Sequence, residues 1–250
     1  MEELECTYLD EFYYFLKFAK RRILSGLDTQ AKIKDDWKKE WSPDKEGKGI
    51  SSFAVGAERI VYAFFNTQGF GQPNSAPVGS DLFFETDDAF IHIDMKTVQT
   101  RNIGDYPTDI FVGRNQNSYK GKMIVNKGRP NQTLRDYKGV LPTEYKNNGN
   151  PKPCLTYFIT ILYEEENLNV LCITLLCMPN GILEPHYGTR VLKAGKNPDK
   201  TRFNFSEVDT FELLPKKQKR VRVVYLNESP SNKWMKKLKY LKSVYDQQTT

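Results

Sequence analysis

The chain has 250 residues, 39% of them hydrophobic and 13% aromatic, with a formal net charge of +6, so it has enough apolar side chains for a sizeable core. No run of eighteen apolar residues occurs, which argues against a membrane-spanning helix, and the acidic first residues lack the basic segment of a signal peptide. The four cysteines show no CxxC spacing, so we expect reduced thiols in a cytoplasmic protein and no structural zinc site.

The positive charge is concentrated at one end of the sequence. Residues 216–250 have ten Lys and Arg against two Asp and Glu, a local balance of +8, whereas the remaining residues have a balance of −2. Such a basic segment fits a polyanion such as DNA, although a solvated helix face has the same composition. We therefore expect a basic C-terminal segment, 216–250, that contacts phosphates through Lys216, Lys217, Lys219, Arg220 and Arg222.

The first part of the chain has apolar residues at helical spacing. This spacing predicts one helix over the first ~25 residues and a second over 53–65. The predicted buried stripe of the second helix is Phe53, Ala57, Ile60, Val61 and Phe64. Between these helices, the polar residues 28–48 predict a helix followed by a loop, and 68–77 is a Gly-, Asn- and Pro-rich loop.

After residue 80 the pattern changes to the short apolar runs that are typical of strands. We predict strands at 81–84, 89–98, 108–112, 123–125, 154–163, 168–178 and 221–226. The runs 154–163 and 168–178 are apolar nearly throughout, which predicts a mid-sheet hairpin covered on both faces. Residues 231–245 predict a basic amphipathic helix. The expected fold is a single α/β (α+β) domain, 1–250, with a mixed, largely antiparallel central sheet flanked by helices.

One strand has two charged residues on a single face. In 91–96 side chains alternate, so the apolar residues point to the core while His92, Asp94 and Lys96 project from the opposite face. With a turn centred on residues 86–87, Asp81 lies across from about His92 and is a diagonal neighbour of Asp94. Two carboxylates this close repel unless a cation neutralises them, and oxygen ligands without thiols suit Mg²⁺ or Mn²⁺.

Asp81, followed after twelve residues by Asp94-Met95-Lys96, resembles the motif of the PD-(D/E)xK nucleases, a superfamily that includes most type II restriction endonucleases. The resemblance covers the core motif, 53–100, and departs from the family in having Ser80 where Pro often precedes the first Asp. It implies that Asp81 and Asp94 bind Mg²⁺, with Mn²⁺ as a possible substitute, and that Lys96 is the catalytic lysine.

The same resemblance implies a restriction-endonuclease-like fold and an activity. The expected protein is a cytoplasmic, prokaryotic homodimer that cleaves double-stranded DNA at a short palindromic site, since protein symmetry would mirror the site. No GxxxxGK[ST] loop is present, so we expect no nucleotide cofactor. The alternatives are a structure-specific repair or recombination nuclease of this fold and a non-catalytic nucleic-acid-binding protein.

Several parts of the site assignment have alternatives. The tripeptide also matches at 36–38, 46–48, 136–138 and 144–146, and Asp109 with Asp136 and Lys138 is the second candidate set, although 134–140 is a poor strand. The pair Asp94 and Lys96 also fits a structural ion pair. Glu58, on the second helix, is a candidate third metal ligand or a surface ion-pair partner. His92 is either a hydrogen-bonding group of the site or a packed imidazole.

Base reading requires Arg, Lys, Asn and Gln on loops held by rigid elements. The loop after strand 108–112 is the best candidate, and two further loops contain basic residues. The candidate DNA-binding residues are Arg114, Asn115, Gln116, Asn117, Lys127, Arg129, Arg190 and Arg202. An ordinary polar turn is the alternative for the first loop.

Overall fold

A computed structural model describes residues 1–28, 52–66, 69–73, 79–147, 149–195, 200–229 and 233–249. The helix and loop predicted after residue 28 lie outside the described residues, as do the tripeptides at 36–38 and 46–48. Within the described ranges the α-helices are α1 (Glu2–Leu27), α2 (Ser52–Asn66), α3 (Glu184–Tyr187) and α4 (Lys239–Thr249). None of them is both long and apolar enough to cross a membrane.

The described residues contain all seven strands predicted after residue 80 and five further strands. In chain order, the strands are β1 (Gln72–Pro73), β2 (Leu82–Glu85), β3 (Phe90–Gln99), β4 (Ile110–Val112), β5 (Lys120–Val125), β6 (Thr133–Lys138), β7 (Glu144–Asn147), β8 (Asn150–Tyr163), β9 (Val170–Met178), β10 (Leu192–Ala194), β11 (Thr201–Phe203) and β12 (Val221–Leu226). Short 3₁₀ helices cover Thr100–Asp105 and Arg114–Gln116.

The central sheet has the order β1-β2-β3-β8-β9-β12, with β7 paired to β8. The pair β3 and β8 is parallel over ten residues, and the other neighbours are antiparallel. The prediction of a mixed, largely antiparallel sheet flanked by helices is therefore confirmed. Strands β8 and β9 lie in the middle of the sheet, as their continuous apolar character predicted.

Two hydrophobic clusters cover the two faces of this sheet. On one face, Leu155, Tyr157 and Ile159 of β8 pack with residues of α1 and α2. On the other face, Phe158 and Leu162 pack with residues of α4 and of a second sheet. The alternation along β8 therefore separates a helical layer from a layer that contains the second sheet.

The second sheet has the order β4-β11-β10-β5-β6. Its outer strand, β6, covers most of the segment 134–140. The expectation that 134–140 is a poor strand was therefore wrong. The side chains of β6 are mostly exposed, and Tyr137 is the buried one. A strand that hydrogen-bonds along one edge and faces solvent lacks the apolar pattern on which the prediction depended.

The C-terminal helix is shorter than the predicted 231–245. It begins at Lys239, and residues 234–237 form turns instead. Leu238 and Leu241 are fully buried in the second cluster, as their spacing predicted, whereas Trp234 is half-buried at its edge. The apolar contacts of this segment were therefore predicted better than its helical bounds.

The basic segment 216–250 is partly buried, which corrects the expectation that Arg220 and Arg222 contact phosphates. For the exposed Lys216 and Lys217 that expectation stays a prediction. Arg220 is fully buried, and its guanidinium donates to Glu5 at 2.9 Å, to Glu2 at 2.7 Å and to the Tyr187 hydroxyl at 2.6 Å. Arg222 is also buried and pairs with Asp10 at 2.7 Å. The acidic first turns of α1 therefore neutralise the two arginines of the segment and attach α1 to the β12 end of the sheet.

We expect Arg220→Met to destabilise the fold by about 3–5 kcal/mol, because it leaves Glu2 and Glu5 buried without their cation. Urea denaturation at about pH 8 measures the loss, which should shrink near pH 5, since burial raises the pKa of Glu5 and this carboxylate can take up a proton there. Lys217→Met is the matched control, because Lys217 is exposed in the same segment. An Arg220→Met protein as stable as the wild type would contradict the assignment.

Candidate active site

The β2–β3 hairpin brings Asp81 beside Asp94. Leu82 pairs with Ile93 and Glu85 with Phe90, so Asp81, one residue beyond the last pair, comes next to Asp94. The expected register, with Asp81 across from His92, was wrong, since Phe83 occupies that position. The turn centres on residues 87–88, one residue later than assumed, where the Thr86 amide donates to the Ala89 carbonyl at 2.9 Å.

The two acids and the lysine share one face of the hairpin. Ile93 and Met95 are buried in the cluster under α1 and α2, so Asp94 and Lys96 project from the opposite face. Asp94 is 2% exposed, whereas Asp81 is exposed at the rim. The Asp81 Oδ2 accepts a hydrogen bond from the Met95 amide at 2.7 Å, which fixes the rim carboxylate against β3.

Asp94 is a buried carboxylate with a close cationic partner. The Lys96 ammonium lies 2.5 Å from Asp94 Oδ2 and 5.7 Å from the centre of the Phe158 ring. Burial raises the pKa of Asp94 to about 6, Lys96 opposes this rise, and the charge of Asp81 adds to it. The site therefore contains negative charge that Lys96 alone does not fully compensate.

Helix α2 contributes two further groups near these acids. Burial first, and then the charge of Asp81, raises the pKa of the half-buried Glu58. Tyr62 lies one turn further along α2, and burial together with the charges of Asp81, Glu58 and Asp94 raises its pKa. Tyr62 was not among the predicted site residues, although its spacing of four residues from Glu58 places both on one face of the helix.

The fit of a divalent cation depends on these oxygens. Among the described residues, no three His, Cys, Asp or Glu side chains come together as a metal site, so Glu58 does not complete a three-carboxylate set with Asp81 and Asp94. The two acids and the raised pKa of Asp94 nevertheless fit a hard, oxygen-liganded cation, because such a cation would relieve their repulsion.

His92 is a packed imidazole. It is fully buried, stacks between Phe83 and Tyr145 at 4.6 and 5.6 Å between ring centres, and has Ser80 Oγ 3.2 Å from its Nδ1. Burial lowers the pKa of His92 to about 4, so the ring is neutral at neutral pH. Its contacts support the hairpin and the segment that leads to Asp81.

The predicted base-reading loop divides into exposed and inward-facing residues. Arg114 and Asn115 are exposed, as are Lys127 and Arg129 in the loop after β5. Asn117 is fully buried and donates to the Gly113 carbonyl at 2.9 Å and to the Tyr137 hydroxyl at 2.8 Å, so it cannot reach a DNA base in this conformation.

Gln116 also faces inward, and it contacts both Asp94 and Lys96. Its Nε2 donates to Asp94 Oδ1 at 2.7 Å, and its Oε1 accepts from Lys96 Nζ at 3.0 Å. The side chain predicted to contact adenine is therefore hydrogen-bonded within the candidate active site. Nothing in the loop's polar composition distinguished Gln116 from its neighbours.

The other two candidate arginines are paired with acids. Arg190 donates to both carboxylate oxygens of Glu212, at 2.6 and 2.9 Å. Arg202 donates to both oxygens of Asp105, at 2.7 and 3.0 Å. These ion pairs satisfy the guanidinium groups within the protein, so neither presents an uncompensated charge to DNA in this structure.

The second candidate catalytic set does not assemble. Asp109 is buried, and it forms ion pairs with Lys193 at 2.8 Å and with Arg202 at 3.5 Å. Asp136 and Lys138 lie two residues apart on the outer strand β6, where both are exposed. Asp109 is therefore a structural anion of the second sheet.

Comparisons with known proteins identify the family of the chain and its fold. Residues 1–167 match the family model described as the N-terminal domain of the type II restriction enzyme MwoI, and residues 170–226 match its central domain. A search of curated proteins finds no match. Among solved structures, the restriction endonuclease BglI bound to its DNA recognition sequence is similar, with a TM-score of 0.68, 16% identity, and 89% of each chain covered.

A second solved structure shares the fold. The tetrameric restriction endonuclease SfiI bound to cognate DNA is similar with a TM-score of 0.54 and 17% identity, over 86% of this chain and 84% of that chain. At this identity the two structures show the fold alone. They confirm the expected restriction-endonuclease-like fold.

We expect Asp94→Asn to stabilise the cation-free protein by about 1–3 kcal/mol at pH 7.5. The folded-state pKa of Asp94, about 6, lies above the usual 3.8, so the folded protein holds this proton more tightly than the unfolded chain. Ionisation of Asp94 therefore lowers the stability of the wild type as the pH rises from about 4 to about 7.5. The stabilisation by Asp94→Asn should accordingly vanish near about pH 4.

Thermal denaturation in EDTA across this pH range measures the effect. Asp81→Asn is the control, because Asp81 is exposed and its removal should change stability by no more than about 0.5 kcal/mol. A pH-independent difference between Asp94→Asn and the wild type would contradict the raised pKa of Asp94 as the cause of the gain.

Proposed function

The chain belongs to the MwoI family of type II restriction enzymes, and on this premise we propose that it is a Mg²⁺-dependent endonuclease that cleaves double-stranded DNA at a short palindromic site. The family makes the chain a site-specific deoxyribonuclease. The observation that carries the assignment of its centre is the convergence of Asp81, Asp94 and Lys96 on one face of the hairpin. The family favours restriction over a repair nuclease and over a non-catalytic binding protein.

In this proposal Asp81 and Asp94 hold the divalent ion, and Lys96 acts on the scissile phosphate. A bound Mg²⁺ supplies positive charge at the phosphate and makes a water molecule more acidic. Lys96 is 17% exposed and lies above the Phe158 ring, so its ammonium is partly desolvated while its tip remains accessible. In this position Lys96 can donate to oxygen atoms on which negative charge develops during hydrolysis.

Asp94 has two tasks in the same proposal. Its Oδ2 contacts Lys96 and its Oδ1 accepts from Gln116, so the carboxylate is oriented before any cation binds. Asp94 is almost fully buried, whereas Asp81 is exposed. Asp94 would therefore bind a shared cation from the interior side and Asp81 from the rim. Glu58 and Tyr62 border the rim and can bind water near it.

We assign DNA reading to the exposed residues of the second sheet's loops. Arg114 and Asn115 precede β5, and Lys127 and Arg129 follow it, so one rigid strand supports both loops. Arg can bond guanine and Asn can bond adenine through two hydrogen bonds. A homodimer with one active site per subunit suits cleavage of both strands of a palindrome. We also retain a cytoplasmic location, which suits the free thiols of all four cysteines.

Plasmid cleavage in Mg²⁺ tests the site. We expect the wild type to give discrete fragments, EDTA to abolish cleavage, and Asp94→Ala and Lys96→Ala each to reduce the rate by about 100-fold or more. Asp87→Ala is the matched control, because this exposed acid lies in the turn of the same hairpin. If Asp94→Ala cleaved as fast as the wild type, the assignment of the active site would be wrong.

Substitution of Arg114 tests the reading surface. We expect Arg114→Ala to weaken binding to the cleaved sequence by about 1–3 kcal/mol and to relax the choice of site, which sequencing of the cleaved ends measures. The control is Arg21→Ala, because Arg21 is exposed on α1, over the other face of the central sheet. Equal loss of affinity for all sequences would instead make Arg114 a phosphate contact.

A further inference from the structure

The side chains of the 3₁₀ helix Arg114–Gln116 point in two directions, towards solvent and towards β3. Arg114 and Asn115 are exposed, whereas Gln116 turns towards β3 and is hydrogen-bonded on both ends of its amide. Its Oε1 also accepts from the Gly113 amide at 2.8 Å, so the same oxygen contacts the loop backbone and Lys96. The amide thereby connects three groups: the start of the loop, Lys96 and Asp94.

The backbone around Gln116 is held from the other side. The Asn117 carbonyl accepts from the Leu141 amide at 3.2 Å, and the Arg114 carbonyl accepts from the Val140 amide at 2.6 Å. The buried Asn117 side chain donates back to the Gly113 carbonyl at 2.9 Å. The loop is therefore clamped to the segment after β6, and Gln116 has little freedom to move away from Asp94 and Lys96.

The loop also contacts the segment that leads to Asp81. A Cβ atom placed on Gly79 would come within 1.9 Å of the Asn115 carbonyl oxygen, so the chain passes this loop at a distance that only glycine permits. The loop tip therefore lies against the start of β2 while Gln116 lies against β3. One loop therefore contacts both β3 and the segment that leads to Asp81.

We propose that Gln116 is a positioning residue that holds Lys96 and Asp94 in their reactive arrangement and so makes the loop that carries Arg114 and Asn115 part of the catalytic centre. This inference rests on the proposed function. The two contacts require an amide, because its oxygen accepts a hydrogen bond from Lys96 and its nitrogen donates a hydrogen bond to Asp94. Gln116 touches no reacting atom in this scheme and acts through Lys96 and Asp94.

The amide also suits the charge state of the site. A carboxylate in its place would still accept from Lys96 and from the Gly113 amide, but it would present an oxygen to Asp94 Oδ1 and repel it. Methionine has a similar length, but its thioether cannot donate to Asp94 and is only a weak acceptor for Lys96 and the Gly113 amide. The two substitutions therefore separate the length of the side chain from its hydrogen bonding.

The experiment compares Gln116→Met, Gln116→Glu and the wild type in full-length protein. Single-turnover cleavage is measured in Mg²⁺ on a plasmid that the wild type cuts, and binding is measured in EDTA on a fragment with the same site. We expect Gln116→Met to lower the cleavage rate constant about 10- to 100-fold while affinity for the fragment is retained. Gln116→Glu should lose at least as much. Gln247→Met, an exposed glutamine on α4, should behave as the wild type.

The other outcomes would overturn the proposal in distinguishable ways. Unchanged cleavage by Gln116→Met would remove Gln116 from the positioning role. Weaker binding with a changed choice of site, at an unchanged rate constant, would return Gln116 to base reading. A parallel loss of melting temperature, binding and cleavage would make it a loop-folding residue. No cleavage by the wild type in Mg²⁺ would refute the proposed function itself, and this inference with it.

Discussion

The parallel pairing of β3 with β8 is the constraint on which both the fold and the site depend. It aligns ten consecutive residue pairs, including Asp94 with Phe158 and Lys96 with Thr160. Alternation then places Ile93 under α1 and α2, and leaves the charged residues on the face that the second sheet covers. A shift of one residue would turn both charges towards the apolar cluster beneath the helices, so the apolar residues of β3 help to fix the position of the candidate active site.

The molecule contains two kinds of buried charge, and the difference between them distinguishes scaffold from site. Arg220 lies between two carboxylates and a tyrosine hydroxyl, so the buried cation is surrounded by acceptors. Asp94 has one ammonium and one amide as partners, and a second acid beside it, which leaves its pKa near 6. The first arrangement holds α1 to the sheet. The second leaves a buried carboxylate incompletely compensated, which lowers the stability of the cation-free fold and is typical of functional sites.

The sequence predicted the sheet, the helices that cover it and the Asp81, Asp94 and Lys96 constellation, because these depend on periodicity and on spacing along a hairpin. It did not predict β6, whose hydrogen bonds form with a neighbouring strand while its side chains face solvent. Gln116 was predicted to bind DNA, because the side chains of a polar loop show no periodicity that distinguishes inward-facing from exposed positions. The prediction that Arg220 contacts phosphates was wrong for a related reason. Charge counted along the chain takes no account of Glu2 and Glu5, which lie near the start of the sequence and pair with Arg220 in the fold.

The distribution of uncompensated charge therefore has to be read from the folded molecule. Arg190 and Arg202 are neutralised by acids, whereas Arg114 and Arg129 are exposed on loops at the two ends of β5. The proposed reading residues thus lie on loops of the second sheet, which also packs on the face of the central sheet that carries Lys96. Because Arg114 and Gln116 belong to one turn of 3₁₀ helix, a contact that moves Arg114 has a short, hydrogen-bonded path to Lys96. The proposed base-reading residue Arg114 and the proposed positioning residue Gln116 therefore lie on opposite sides of one short loop.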